Sequence, residues 1–390
     1  MADNFTVLHT KMRKLALGLF TLLIIPFGCS QNSQPERTNG SIPTEEGIQM
    51  ASLESAGIDT ALMVSLTDAI QSGQYPNIHS LLIARDQQLV YEKYFTGKDE
   101  QWGQDLGIVT FTKDSLHDVR SISKSVVSAC IGIAIAQGKI KNVDQKISEF
   151  FPEYPAVQEG EKSELTIKHL LTMSTGIQWN EDVPYNDPEN SEIQMIFSPD
   201  PIEFVLSQPL ESPPGEVWKY NGGTTQVLAA IIEKVAGVKV DAFAGEYLFK
   251  PLGITTFFWT KYPDTDEPAA ASGLRLRPKD LLKFGLLYAQ QGQWNNQQIL
   301  PADWVAASFQ THIHRPGGGY GYQFRTISDT IINTPVQWVA AIGNGDQRIY
   351  FDQNQELIVV ATAGNYNQWN IEKNTYALLK DFIYPAIAGK

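Results

Sequence analysis

Cysteine is scarce in this 390-residue chain, which has only Cys29 and Cys130. Two cysteines cannot build the disulfide framework that staples small secreted domains, and no Cys/His spacing fits a zinc knuckle. The histidines form no HExxH pattern, so the sequence predicts no metal and no cofactor. Positive charge is also short. Lys and Arg number 30 against 43 Asp and Glu, a net −13. Binding nucleic acid takes a surplus of cations to neutralise phosphates, so that class of partner is excluded. No apolar run approaches the roughly 20 residues of a membrane-spanning helix. Hydrophobic residues make up 43% of the chain and aromatics 11%. That composition suits one large domain, or two interleaved ones, around a real core.

The N-terminus reads as an export signal. Lys11, Arg13 and Lys14 form a basic segment, and Leu15 to Phe27 an apolar one too short to span a bilayer. Residues 1–28 are expected to be a signal peptide, started at Met1 or Met12. Gly28-Cys29-Ser30 resembles a lipoprotein processing site, which implies lipidation at Cys29. Cleavage nearby by an ordinary signal peptidase is the alternative, because Pro26 and Phe27 depart from the usual pattern. Residues 29–50 then read as a flexible tether, and residues 51–390 as the working domain. The expected location is exported, periplasmic or anchored to the outer membrane. Contact with a membrane is expected only through the lipid on Cys29.

Strand patterns lie at both ends of that domain. Asp59–Ser72 has helical apolar spacing, and His79–Arg85 and Leu89–Phe95 read as two strands of a hairpin. Between about 144 and 270, helical segments alternate with turns rich in Pro, Asn and Asp. Helices follow at "PKDLLKFGLLYAQQG" and "PADWVAASFQ". Strands return at "GYGYQFRTI", "VQWVAAIGN", "DQRIYFDQ" and "ELIVVATAGN", and "TYALLKDFIYPAIA" closes the chain as a helix. The predicted class is α/β (α+β). An antiparallel sheet from both chain ends is covered by helices, with a mostly helical subdomain inserted at about 144–270.

One stretch does not fit a plain core helix. "DVRSISKSVVSACIGIAIAQGKI" runs apolar from Val126 to Ala136 but opens with three serines and Lys124. Lysine is rarely buried unless paired or reactive. With Ser121 in the first helical turn, Lys124 at i+3 shares its face and can reach its hydroxyl. Burial and the positive end of the helix dipole both disfavour the ammonium. A neutral amine there would be a general base for Ser121. The alternative is a capped helix whose lysine reaches out to solvent. Two further segments stand out. "SPPGEVWKYNGG" sets Tyr220 on a turn-bounded loop before a helix, either packed or shuttling a proton. "AAIGNGDQRIYF" places Gly343 and Gly345 inside a strand pattern, marking a bulge or a close ligand approach, with the Asn344 N–H a candidate oxyanion donor.

Ser-x-x-Lys, a tyrosine loop after Pro-Pro-Gly, and a glycine-rich late strand come here in one order and spacing. Together they resemble the serine hydrolases of the class C β-lactamase and penicillin-binding-protein superfamily. The likeness covers about residues 55–388. "VRSISKSVVS", "TIKHLLTMSTGIQW", "PPGEVWKYNGGTTQVLAAIIEKVAG", "GLRLRPKDLLKFGLLY" and "GNGDQRIYF" carry it. The last two, with "NEDVPYNDPEN", look most like the branch of esterases and 6-aminohexanoate-oligomer hydrolases. The resemblance implies a β-lactamase-like fold and no cofactor. It puts the nucleophile on Ser121, its base on Lys124, the proton relay on Tyr220 and the oxyanion hole on the N–H groups of Ser121 and Asn344. Asn221, Gly343 and Gly345 become substrate-binding candidates. The family's Tyr-x-Asn is here Tyr220-Asn221-Gly222, with the asparagine one place early. The late-strand Lys-Thr-Gly or His-x-Gly is here Ala341-Ile342-Gly343, without a cation.

The expected function is an exported serine hydrolase that cleaves a small ester or amide through an acyl-enzyme. Missing the late-strand cation, it is expected to prefer uncharged or amine-bearing substrates, with an apolar wall near Trp338, Val339 and Ile342. A D-alanyl peptidase or β-lactamase is the rival enzyme, and a non-catalytic envelope-binding member of the family is the rival from another class. The acidic loop Glu181–Glu189 either rims the site or, by default, is solvated.

Overall fold

The computed structural model describes residues 44–263 and 265–388. The signal segment, Cys29 and residues 30–43 of the tether lie outside the described residues. A ten-stranded sheet dominates. Across it, the strands run Thr44–Glu45, Ile48–Met50, Gln88–Tyr94, Ile78–Arg85, Leu357–Ala363, Gln347–Asp352, Thr334–Gly343, Arg325–Ile331, Gly318–Tyr320 and Ile313–Arg315. All neighbours are antiparallel except Ile48–Met50 beside Gln88–Tyr94. The sheet thus joins the two chain ends, with Leu357–Ala363 lying against Ile78–Arg85. It matches the β-lactamase-like class expected from the sequence.

Alternation explains the layers. Leu82, Ala84, Ile358 and Val360 point to one face, and Leu81, Ile83, Val359 and Ala361 to the other. The first face packs on the helices Ile122–Ala136 and Pro278–Ala289. The second is covered by Thr60–Gln71 and by the C-terminal helix Thr375–Ala388, which contains a π-turn at Leu379–Ile383. Helix Ile122–Ala136 has apolar residues all round because it lies between the sheet and helix Gly222–Ala236, and Cys130 is buried within it as a free thiol. From residue 147 to 254 the regular elements are helical.

Two readings need correction. The tether was expected to end at residue 50, yet Thr44–Glu45 and Ile48–Met50 are strands. Ile48 is buried, and Glu45 and Glu46 pair with Lys279 (2.6 Å), Arg277 (3.0 Å) and Lys283 (3.2 Å). Apolar anchoring and charge pairing together order a segment whose polarity suggested disorder. A hairpin, Thr96–Gln101 with Gln104–Thr110, was also missed. Its turn at Trp102-Gly103 has positive φ at both residues, which suits a tight hairpin.

Candidate active site

The segment before the central helix is held tightly. The Val119 N–H donates to Leu274 O at 3.1 Å. Arg120 sits at φ 50°, a left-handed conformation costing of order 1–3 kcal/mol for a non-glycine residue. Its guanidinium is pinned by Glu100 at 2.7 Å and Asp118 at 3.5 Å, and lies 4.8 Å from the Tyr366 ring centre. Ser121 follows as the first residue of the helical run, and its side chain makes no capping hydrogen bond. The hydroxyl turns instead to two partners. Tyr220 Oη donates to Ser121 Oγ at 2.7 Å, and Lys124 Nζ donates to it at 3.0 Å. Lys124 also donates to Ala271 O at 2.9 Å and is buried. The snorkelling alternative for Lys124 is thereby removed.

The neighbouring serines do structural work. Ser123 Oγ donates to Arg120 O at 2.6 Å and accepts from the Leu274 N–H at 3.2 Å. Ser125 and Ser128 donate to the carbonyls of Gln323 and Tyr322. Tyr220 reaches Ser121 because its loop is tied down on both sides. The Gly215 N–H donates to Ser174 O and the Lys219 N–H to Met173 O. Asn221 then caps helix Gly222–Ala236, accepting from the Thr224 N–H at 3.1 Å. Asn221 is buried and does not line the cavity. The cap occupies its oxygen, while its Nδ2 is buried without a hydrogen-bond partner.

The electrostatics overturn the expectation of a neutral Lys124. Burial does pull the ammonium down and is the largest single effect. Tyr220, Glu192 and Glu181 together outweigh it and hold the amine above the ordinary lysine value. Glu181 and Glu192 are a buried carboxyl pair. Burial and then the charge of Glu192 raise Glu181 well above the carboxylate range, so it keeps its proton. Glu192 faces the same burial, but Lys124, with hydrogen bonds from Glu181 and Ser272, keeps it below that range and ionised. Glu181 also accepts from Trp179 Nε1 at 2.7 Å and from the Gly222 N–H at 2.6 Å. The loop read as solvated therefore turns its first residue inward.

Ser121 and Tyr220 open onto a cavity of about 930 Å³. Gly343, Asn344 and Gly345 line it, as do Trp218, Tyr185 and Asp182. The Asn344 side chain is bonded to Asn367 in both directions. The packing of the protein itself requires both glycines. A Cβ on Gly343 would lie 2.3 Å from Val119 O, and one on Gly345, at φ 87°, 2.4 Å from Tyr366 Cδ1. Of the expected apolar wall only Ile342 faces the cavity, because Trp338 and Val339 point into the core. A cation does stand in the site, on the next strand. Arg325, paired across the sheet with Ala340, lines the site beside Ser121 and Tyr220. Among the described residues it forms no ion pair, and its guanidinium lies 6.0 Å from the Tyr220 ring centre. The argument for an uncharged substrate loses its ground here.

Glu192 and Arg325 are site residues that the sequence reading missed, and Glu181 was seen only as part of a loop that could rim the site. Glu192 sits in a short helix whose pattern carries no sign of function. Arg325 shows only as the head of a strand, and cross-strand register, which alone places it, is not written in the local sequence.

The beta-lactamase family model matches residues 70–380. A 6-aminohexanoate-dimer hydrolase of Paenarthrobacter ureafaciens is 25% identical over 324 residues, covering 77% of this chain and 76% of that protein. Among solved structures, a candidate 6-aminohexanoate-dimer hydrolase of Bacillus anthracis superposes with a TM-score of 0.66 at 20% identity, covering 81% of each chain. EstCE1, a hydrolase with promiscuous acyltransferase activity, gives 0.64 at 18% identity over 84% of this chain and 97% of its own.

Proposed function

The chain belongs to the beta-lactamase family, and on that premise we propose that it cleaves small esters or amides through an acyl-enzyme on Ser121. It is a serine hydrolase of that family. One observation carries the proposal: a cavity-facing serine hydroxyl held between a phenol at 2.7 Å and an amine at 3.0 Å. Ser121 Oγ attacks the carbonyl carbon, and its proton passes to Tyr220 and Lys124. Tyr220 relays the proton and Lys124, in its neutral form, is the base that takes it. The N–H groups of Ser121 and Asn344 receive the oxyanion. Tyr220 returns the proton to the leaving group, and water then releases the acyl group by the reverse path.

Arg325 favours a second reading within the same chemistry. The substrate would carry a carboxylate near the scissile bond, as a D-alanyl peptide or a β-lactam does. Export on the Lys11–Phe27 segment, with a lipid on Cys29, is part of the proposal. Membrane fractionation that Cys29→Ala abolishes supports it, and soluble wild-type protein sinks it.

The deciding experiment uses a fluorophosphonate probe and a p-nitrophenyl ester. Wild-type protein is expected to be labelled and to turn over, and Ser121→Ala to lose both while keeping its thermal transition. A folded Ser121→Ala protein with full activity removes Ser121 from the reaction. Wild-type protein that neither labels nor turns over favours the non-catalytic binder.

A further inference from the structure

Away from the cavity, three buried polar side chains converge from separate elements. His79 comes from strand Ile78–Arg85, Asp99 from hairpin strand Thr96–Gln101, and His117 from the short strand His117–Asp118. His79 Nε2 lies 3.1 Å from Lys98 O, and His117 Nδ1 lies 3.0 Å from Asp118 O. A carbonyl only accepts, so each of these nitrogens carries its ring's proton. The other two nitrogens, His79 Nδ1 and His117 Nε2, then present lone pairs to each other at 2.8 Å. Asp99 Oδ1 stands 3.9 Å from the first and 3.7 Å from the second. Three acceptors thus face one point in a dry site, and a cation is needed between them.

A proton is the weaker candidate. Shared by the two imidazoles at 2.8 Å, it would leave Asp99 Oδ1, at 3.7 and 3.9 Å, outside hydrogen-bond reach of either ring. Arg120 and Arg275 already pair with Asp118, so they leave Asp99 to the histidines. Neutral imidazoles are the form that binds a metal. The three distances put the point equidistant from all three atoms about 2 Å from each, the bond length of zinc to nitrogen and carboxylate oxygen. Each histidine is oriented by a carbonyl on its far nitrogen, and the Tyr366 hydroxyl donates to Asp99 Oδ1 at 3.2 Å. Such outer partners are what fixes metal ligands in place.

We propose that His79 Nδ1, His117 Nε2 and Asp99 Oδ1 bind one divalent first-row metal ion, with Zn²⁺ the best fit to two imidazoles and a carboxylate. The ion is structural. It ties the sheet and the hairpin to the segment that leads through Asp118 and Arg120 to Ser121. The local spacing gave no hint of it, because 20 and 18 residues separate the ligands in the chain.

The test is metal analysis and calorimetry on the full, tag-free chain, stripped with chelator and titrated with Zn²⁺. Wild type is expected to bind one equivalent, and its Tm to rise by about 5 °C at a thousandfold excess over Kd. Asp99→Asn and His117→Gln are expected to bind at least about tenfold less and to show no such rise. Wild-type protein that takes up no Zn²⁺ overturns the proposal whether or not the variants fold. So does a ¹⁵N spectrum of the stripped protein, unchanged by Zn²⁺, in which His79 and His117 share a proton. Folded variants that keep their zinc overturn it equally.

Discussion

Gly343→Ala separates two reasons for a glycine at the end of the strand. A Cβ there falls 2.3 Å from Val119 O, 3.1 Å from Gln347 Cβ and 3.2 Å from Arg120 Cβ. Relief requires the strand and the Val119–Arg120 segment to part by roughly 1 Å, the gap to ordinary van der Waals contact. Neither side yields cheaply. Val119 is bonded to Leu274, Arg120 O accepts Ser123 Oγ at 2.6 Å, and Gly343 O accepts from Arg348 at 2.9 Å. Overpacking of this kind costs about 1–3 kcal/mol. An unfolding entropy of about 2.1 cal/mol/K per residue over the folded chain turns that into a Tm loss of roughly 1.5–4 °C. The same displacement carries Ser121 away from Tyr220 and Asn344, and a misplacement of about 1 Å costs on the order of a hundredfold in rate. Calorimetry and kcat and KM on p-nitrophenyl acetate read both effects, and kcat and Tm are expected to fall together. If the glycine instead makes room for the substrate, KM rises alone and Tm stays put. That result refutes the packing argument.

Three more outcomes follow from the site. Tyr220→Phe removes one hydrogen bond, worth about 1 kcal/mol of stability, but is expected to lower kcat/KM by about 10²–10⁴; an unchanged rate takes Tyr220 out of the mechanism. On the proposed mechanism the acid limb of kcat/KM reports loss of a proton from Lys124. Glu192 holds that proton in place, so Glu192→Gln is expected to move the limb to lower pH. Glu181→Gln is expected to move it the same way but by less, because Glu181 acts on the lysine more weakly than Glu192. The opposite pattern in the pH profiles would reverse the charge assignment. Arg325→Met is expected to lower kcat/KM about ten- to a hundredfold for carboxylate-bearing substrates and little for p-nitrophenyl acetate. Equal loss on both assigns Arg325 to packing.

The parts of this protein legible in its sequence are those written in local pattern. Short continuous apolar runs in "SLLIAR" and "ELIVVATA" marked the central strands, buried on both faces, and the apolar run after Lys124 marked the buried helix. The i, i+3 spacing of Ser121 and Lys124 was enough to put a hydroxyl beside an amine, because helix geometry fixes that distance. Tyr220 came from turn residues and from family likeness together. What stayed hidden depends on long-range register. Arg325 enters the site only because its strand pairs with Thr334–Gly343. Ile48 is ordered only because a strand 40 residues later offers it an edge. The cap formed by Asn221 stayed hidden too, because only the position of helix Gly222–Ala236 shows that its oxygen is taken.

The lysine shows most clearly what local reasoning leaves out. Desolvation and a helix N-terminus both act against an ammonium, and alone they predict a neutral amine. The fold adds two carboxyl groups from the loop at 181 and the helix at 192, and their number matters as much as their presence. Two ionised carboxylates would bind the lysine proton so strongly that the pair could not give it up near neutral pH. None would leave a buried ammonium unpaired, at a cost of several kcal/mol. Burial resolves this by making the two carboxyls compete, since like charges this close in a dry site do not both ionise. One negative charge therefore remains on Glu192 to balance one positive charge on Lys124, and the proton on Glu181 keeps the balance from tipping further. The site rests with its lysine charged, and on the proposed mechanism the Ser121 hydroxyl is activated only in the fraction of molecules whose Lys124 has released its proton. The carboxyl pair sets that fraction from behind the lysine without touching the hydroxyl.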